Sequence, residues 1–394
     1  MSLFYRLKNK ASIVFKVFKR RLLFLAEFLL LRFERYHGKN GHVHGEDVLL
    51  IVKLDGIGDY IVFRDCIRFI RESSLYRGYK LLLVGNLAYK DIAENQDAND
   101  IRNFLWVDIN KTRWNLFYRK RLLDTINTYK VHTIFHPTYS RCFYVDELIR
   151  NVKAQAKYAV DGDTRNILSW VKRISNTYYS NILTLNREVI FEFQRNKNVT
   201  EQFLHTTIAL TKPQLKLSSS VSVAVRKYAV VFPDAFAESR LWPVDKFAEI
   251  AGYLIDNYDF DVVVAGTNKN NAEYIVKKVH SHKLRDATLR TTLIQLAELV
   301  QNAELLISND TSAVHIGVAV NAKVICVSNG NTYGRFVPYP TQVYSRIITL
   351  FPEDIENEKL SDVQASKKYL HGSEYSISSV STEQVKQAIT TMLG

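Results

Sequence analysis

Residues Asp47–Arg71 read DVLLIVKLDGIGDYIVFRDCIRFIR. The apolar run Val48–Val52 has the length and branching of a buried strand. A loop with Gly56 and Gly58 follows, and Asp59 opens a segment with helical periodicity. A strand running through a glycine turn into a helix is half of a βαβ unit. Ligands of open α/β sheets bind at the C-terminal ends of such strands. Two readings of Asp59 fit: a helix cap, or a carboxylate presented to a ligand.

The same alternation continues outward. Strand-like runs at Lys80–Val84, Phe104–Val107 and Val131–Phe135 precede helix-like stretches from about Ala88, at Trp114–Thr128 and at Phe143–Val152. Tyr158–Arg195 has no clear period and reads as an elaboration of the first domain. Lys212–Arg226 (KPQLKLSSSVSVAVR), with its proline and serine run, reads as a linker. A second series follows, with strands at Tyr228–Phe232, Asp261–Ala265, Leu305–Ser308 and Val324–Val327. Helices are expected near Val244–Asn257, Asn271–Ser281, Leu293–Gln301 and Ala313–Val320, with a closing helix at Ser381–Leu393. The expected architecture is therefore α/β, two Rossmann-like domains facing a cleft. The expected divisions are a basic leader and hinge (1–45), an N-terminal domain (46–211), a linker (212–226) and a C-terminal domain (227–394).

Composition narrows the class. The chain has 394 residues, 47% of them hydrophobic and 24% charged, as in soluble globular proteins. Cys66, Cys142 and Cys326 are too scattered for a disulfide framework or a metal motif, which suggests a reducing compartment such as the cytoplasm. The net charge of +13 is concentrated in residues 1–40, where ten Lys and Arg face two Glu. The body carries little of it, so nucleic acid is not the expected partner. Phe4, Leu7, Ala11, Val14, Phe18, Leu22, Leu25 and Leu29 fall on one helical face. That pattern suits a basic amphipathic helix on an anionic membrane surface, or a helix packed on protein. His37–Gly45 (HGKNGHVHG) reads as a hinge.

Two further motifs carry chemistry. In Leu305–His315, LLISNDTSAVH, a buried strand gives way to Asp310, Thr311 and Ser312 at a helix N-terminus, where backbone N–H groups and the helix dipole favour phosphate. His315 falls on the same helical face. In Phe232–Phe247, FPDAFAESRLWPVDKF, Ser239 and Arg240 lie in a loop before Trp242-Pro243, which starts a helix. Arg240 could neutralise a diphosphate. Gly266, following a strand, would admit close approach of a ligand. Neither a P-loop nor a complete GxGxxG is present, which disfavours hydride transfer.

Together these motifs resemble glycosyltransferase family 9, the heptosyltransferases of lipopolysaccharide core and related glycans. The matching residues are Ile57-Gly58-Asp59, Arg240-Leu241-Trp242-Pro243 through Phe247, and Asn309-Asp310-Thr311-Ser312 with His315. The resemblance implies a GT-B fold and inverting transfer without a metal or cofactor. Its partners would be a nucleotide-sugar (ADP-heptose by family default) and a lipid-linked saccharide at the inner membrane. It casts Asp59 as general base and Arg240 as the stabiliser of the departing diphosphate. Ser239, Gly266, Asp310, Thr311, Ser312 and His315 would be donor contacts, and Lys53 and Arg64 acceptor contacts. Where the family has small phosphate-binding residues, this chain has Asp234-Ala235-Phe236-Ala237. That departure motivates one alternative, an inactive nucleotide-sugar-binding assembly partner; a GT-B UDP-sugar epimerase is a third reading.

Overall fold

A computed structural model describes residues 22–32, 45–186, 188, 190–217, 226–370 and 372–394. The helical face from Phe4 to Phe18, most of the hinge and the middle of the linker lie outside the described residues. The chain forms two compact units, each built on a six-stranded parallel sheet.

The first unit comprises the described residues up to Leu54, with Gly78–Leu87 and Asn103–Thr184. Its strands are β1 (Val48–Lys53), β2 (Lys80–Asn86), β3 (Asn103–Val107), β4 (Val131–His136), β5 (Ala156–Val160) and β6 (Asn181–Leu183). They lie in the order β3-β2-β1-β4-β5-β6. Every residue of β1 is buried, as expected for a central parallel strand covered on both faces. Each such aliphatic side chain contributes about 2 kcal/mol of burial. Residues 22–32 form a helix whose Phe24, Phe28 and Leu31 pack on this core. Among the described residues no helix is long and apolar enough to cross a membrane.

The second unit comprises Asp55–Arg77, Ala88–Arg102 and the described residues from Leu185 onward. Its strands are β7 (Tyr228–Phe232), β8 (Asp261–Val264), β9 (Leu284–Asp286), β10 (Leu305–Asn309), β11 (Val324–Val327) and β12 (Ile347–Leu350). The order β12-β11-β10-β7-β8-β9 repeats that of the first sheet. Each sheet changes direction beside its first strand, between β1 and β4 and between β7 and β10.

Four strands differ from expectation. β5 runs into the stretch read as an aperiodic elaboration and β6 lies inside it, and β9 and β12 fall inside segments assigned no strand. All four are short and at or next to a sheet edge, where one face is half solvated and the apolar run that marks a buried strand is missing. The compact units also depart from the linear boundary at residue 211. The helices after β1 and β2 (Ile57–Ile61, Asp65–Glu72 and Lys90–Gln96) and Glu192–Leu204 pack with the second unit.

Candidate active site

The second unit gathers most of the predicted residues around its switch point. β10 ends at Asn309, which ties two loops together. Its Oδ1 accepts from the Trp242 backbone N–H at 3.0 Å, and its Nδ2 donates to Pro233 O at 2.8 Å. Trp242 is buried and donates Nε1–H to Val380 O at 2.9 Å, so it anchors the loop that carries Ser239 and Arg240. Asp310 follows, buried at 3% exposure, with Ser328 Oγ donating to it at 3.4 Å. Burial pushes its carboxyl above the ordinary carboxylate value, opposed by the nearby Arg240 charge and by Ser328. Thr311 is the N-cap of the helix Ser312–Ala319, yet its side chain makes no capping bond. A cap therefore does not account for the hydroxyl there.

His315 is buried on that helix. Its Nδ1 lies 2.6 Å from the Tyr339 hydroxyl, and its ring meets Phe336 edge-on. Burial, reinforced by the Arg240 charge, lowers its pKa to about 4, so the imidazole is neutral near pH 7. Gly58 lies directly against this ring. A Cβ there would come within 2.6 Å of His315 Cδ2 and 3.3 Å of Nε2. The glycine of the first motif and the histidine of the last are thus two sides of one contact. Asp59 sits beside it in the first turn of Ile57–Ile61. The N-cap residue of that helix is Gly56, so Asp59 is not itself the N-cap.

Two residues expected to contact substrate have partners within the fold. Gly266 has φ +154°, and the close approach it permits is made by Asp234. The Asp234 carboxylate accepts from Thr267 N at 2.5 Å, Asn268 N at 2.8 Å and Asn271 Nδ2 at 3.0 Å. It acts as an internal anion at the start of the helix Lys269–Val279, which accounts for an acidic residue in this loop. Arg64 is buried in a fork with Asp97, at 2.6 and 3.1 Å, and also bonds Asp65 and Gln214 O. A guanidinium so committed braces the second unit. Ser239 is exposed, and its carbonyl accepts from Asn329 Nδ2 at 2.9 Å.

Lys53 belongs to the first unit, where it is fully buried at the end of β1. Its charge helps hold the buried His136 imidazole, at the end of β4, well below its ordinary pKa; burial is the larger cause and Arg141 also contributes. The Tyr179 hydroxyl donates to Asp146 Oδ1 at 2.6 Å, so His136 Nδ1, 3.1 Å away, is the donor to the tyrosine oxygen. Arg141 donates to Ser175 and Asn176 and lies 3.7 Å from Asp146.

The sequence reading missed His136, Arg141, Tyr339 and the pair Arg335–Glu192, bonded at 2.8 Å. A signal existed for the loop after β11. Residues Ser328–Pro340 (SNGNTYGRFVPYP) combine Asn, Gly and aromatic residues, and Gly330 and Gly334 take φ of +81° and +76°.

The sequence profile described as Glycosyltransferase family 9 (heptosyltransferase) matches residues 142–369, more than half of the chain. The chain belongs to glycosyltransferase family 9. The matched span contains Arg240 and Asp310–His315 but not the Asp59 motif. No curated protein matches. Among solved structures, a glycosyl transferase family 9 protein from Veillonella parvula is similar at TM-score 0.66 and 17% identity, covering 90% of this chain and 98% of that one. E. coli heptosyltransferase WaaC, solved with ADP, is similar at TM-score 0.66 and 14% identity, covering 88% and 99%. E. coli ADP-heptose lps heptosyltransferase II gives 0.65 and 15%, covering 88% and 98%. The fold of this family 9 glycosyltransferase is GT-B, with two Rossmann-like α/β domains.

Proposed function

We propose that this glycosyltransferase moves heptose from ADP-heptose to a lipopolysaccharide-core or related lipid-linked saccharide, with inversion and without a metal, at the cytoplasmic face of the inner membrane. The observation that carries the reading is the packing of Gly58 on His315, which puts Asp59 beside the helix that begins at Ser312. In this mechanism the Asp59 carboxylate takes the proton of the acceptor hydroxyl. That oxygen attacks the anomeric carbon from the face opposite the diphosphate. The C1–O bond breaks, and the electron pair leaves on the nucleoside diphosphate. Arg240, the Thr311 and Ser312 hydroxyls and the N-terminus of Ser312–Ala319 stabilise the charge that develops there. Neutral His315 and Asp310 orient the donor.

The donor assignment is supported by the family and by two solved relatives whose names or bound ligands specify ADP-heptose or ADP. The basic leader supports the membrane assignment by its charge. The inactive-partner reading rested on the altered Asp234–Ala237 loop, and the hydrogen bonds of the Asp234 carboxylate account for the acidic residue in it. Turnover of ADP-heptose with a heptose-deficient core acceptor, with the anomeric configuration of the product read by NMR, tests the proposal. An inverted product supports it. A retained configuration, or transfer only from UDP- or GDP-sugars, refutes the corresponding part, and UDP-sugar isomerisation without acceptor would replace it with epimerisation.

A further inference from the structure

The helix over residues 22–32 is apolar on both sides. Phe24, Phe28 and Leu31 face the core of the first unit. Leu22, Leu25 and Leu29, at the same helical steps, are left 51, 48 and 50% exposed. A helix resting on a domain needs one apolar stripe. A second stripe in water points to a further apolar partner.

The helix has exposed aromatic neighbours on the first unit. Trp170 meets Phe28 edge-on at 5.0 Å and is itself 42% exposed. Arg113 bonds the buried Glu27 of the helix at 2.6 Å, and its guanidinium lies 5.0 Å from the Trp114 ring. Phe117, three residues further on, is 83% exposed. The surrounding sequence is basic. Residues 111–121 (KTRWNLFYRKR) hold five cations and no acid, and residues 1–21 hold seven and none. Arg119 alone of the five is turned fully inward.

We propose that this face of the first unit is a docking surface for an anionic bilayer. Leu22, Leu25, Leu29, Trp114, Phe117 and Trp170 enter the interfacial layer, and the flanking Lys and Arg meet lipid phosphates. Indole rings favour that depth, and basic side chains around an apolar stripe favour acidic headgroups. A two-fold contact with a second copy would set these same cations against one another. Charge complementarity therefore selects the membrane. The inference rests on the membrane reading above and adds the folded unit to the leader.

Flotation of the full chain with phosphatidylglycerol–phosphatidylcholine vesicles, and with phosphatidylcholine vesicles alone, tests it. The wild type should bind the acidic vesicles preferentially. The double variant Phe117→Ser, Trp170→Ser should bind them roughly tenfold more weakly or worse, as expected for two aromatic side chains that no longer insert. Its vesicle-free turnover of ADP-heptose should be unchanged, which also shows that it is folded. Leu25→Gln, Leu29→Gln should weaken binding in the same way. Unchanged binding in both variants overturns the surface. If deletion of residues 1–21 then abolishes binding, the leader reading survives without it. A wild-type dimer that either variant converts to monomer, with vesicle binding intact, makes the face a subunit interface and also overturns the proposal. Solution turnover judges the catalytic reading separately.

Discussion

The two sheets repeat one strand order, but the chemistry at their switch points differs. In the first unit, Lys53, His136, Arg141 and Asp146 are all at or below 1% exposure, and the hydrogen bonds of Tyr179 and Arg141 run to neighbouring side chains. In the second, Thr311 and Ser312 are only partly buried, the Thr311 side chain caps nothing, and the Arg240 charge is felt by Asp310 and His315. One edge is sealed by burial, although Arg141 Nε and Nη1 and Asp146 Oδ2 are left without hydrogen-bond partners among the described residues. The other keeps an anion-attracting helix end and a cation in reserve. Shared architecture therefore says where a ligand can bind, and the side chains decide which edge does the chemistry.

The largest expected effect is at Asp59. If the second edge is catalytic, Asp59→Ala should lower kcat by about 10³-fold, the range of a lost general base, with the melting temperature little changed. Wild-type turnover in that variant would end the catalytic assignment. Arg64 sharpens the contrast from within the same unit. Arg64→Met leaves Asp97 buried without its fork and should cost about 3 kcal/mol of stability in urea unfolding. The acceptor KM of the remaining folded enzyme should stay the same. A raised KM with normal stability would return Arg64 to the acceptor.

The contrast between Asp59 and Arg64 also shows what the sequence could and could not reveal. Asp59, Arg240, Asp310 and His315 were legible because each follows an apolar strand, and strand ends are readable from hydrophobic runs. Arg64 follows the same stretch, but its partner Asp97 is 33 residues away, and no local pattern announces that fork. Asp234 misled for the same reason. Its partners, Thr267, Asn268 and Asn271, lie beyond the next helix and strand, so its charge looked unpaired. Edge strands β6 and β9, three residues each, are set by pairing with a neighbour rather than by their own composition. Gly58 was read as turn chemistry, whereas its real constraint is the ring of a residue more than 250 positions later.

Smaller effects separate charge from scaffold within the second edge. Arg240→Gln should lower kcat by about 10²-fold, and Arg240→Lys should recover part of it, because a point charge still attracts the leaving diphosphate but cannot fork it. Asp234→Ala should cost about 1 kcal/mol of stability through the lost cap, measured by urea unfolding, with kcat within about twofold of wild type. A drop in kcat like that of the Arg240 variant would move Asp234 from scaffold to site.

The smallest effect is a slope. His315 has a folded-state pKa of about 4, below the roughly 6.5 of an unfolded histidine. As pH falls through that window the unfolded chain takes up the proton first, so protonation favours unfolding. The neutral buried imidazole thus contributes stability that is fully present above about pH 6.5 and is lost progressively toward pH 4. His315→Gln cannot titrate, so between pH 7 and pH 5 its unfolding free energy should fall less than that of the wild type, by up to about 1.4 kcal/mol per unit. His136, depressed for a similar reason in the first unit, remains in both proteins and cancels in the difference. Parallel curves for the two proteins would mean that His315 titrates normally in the folded state. The contact with Gly58 would then hold an exposed, protonatable ring, and the neutral, donor-orienting role would pass to another residue.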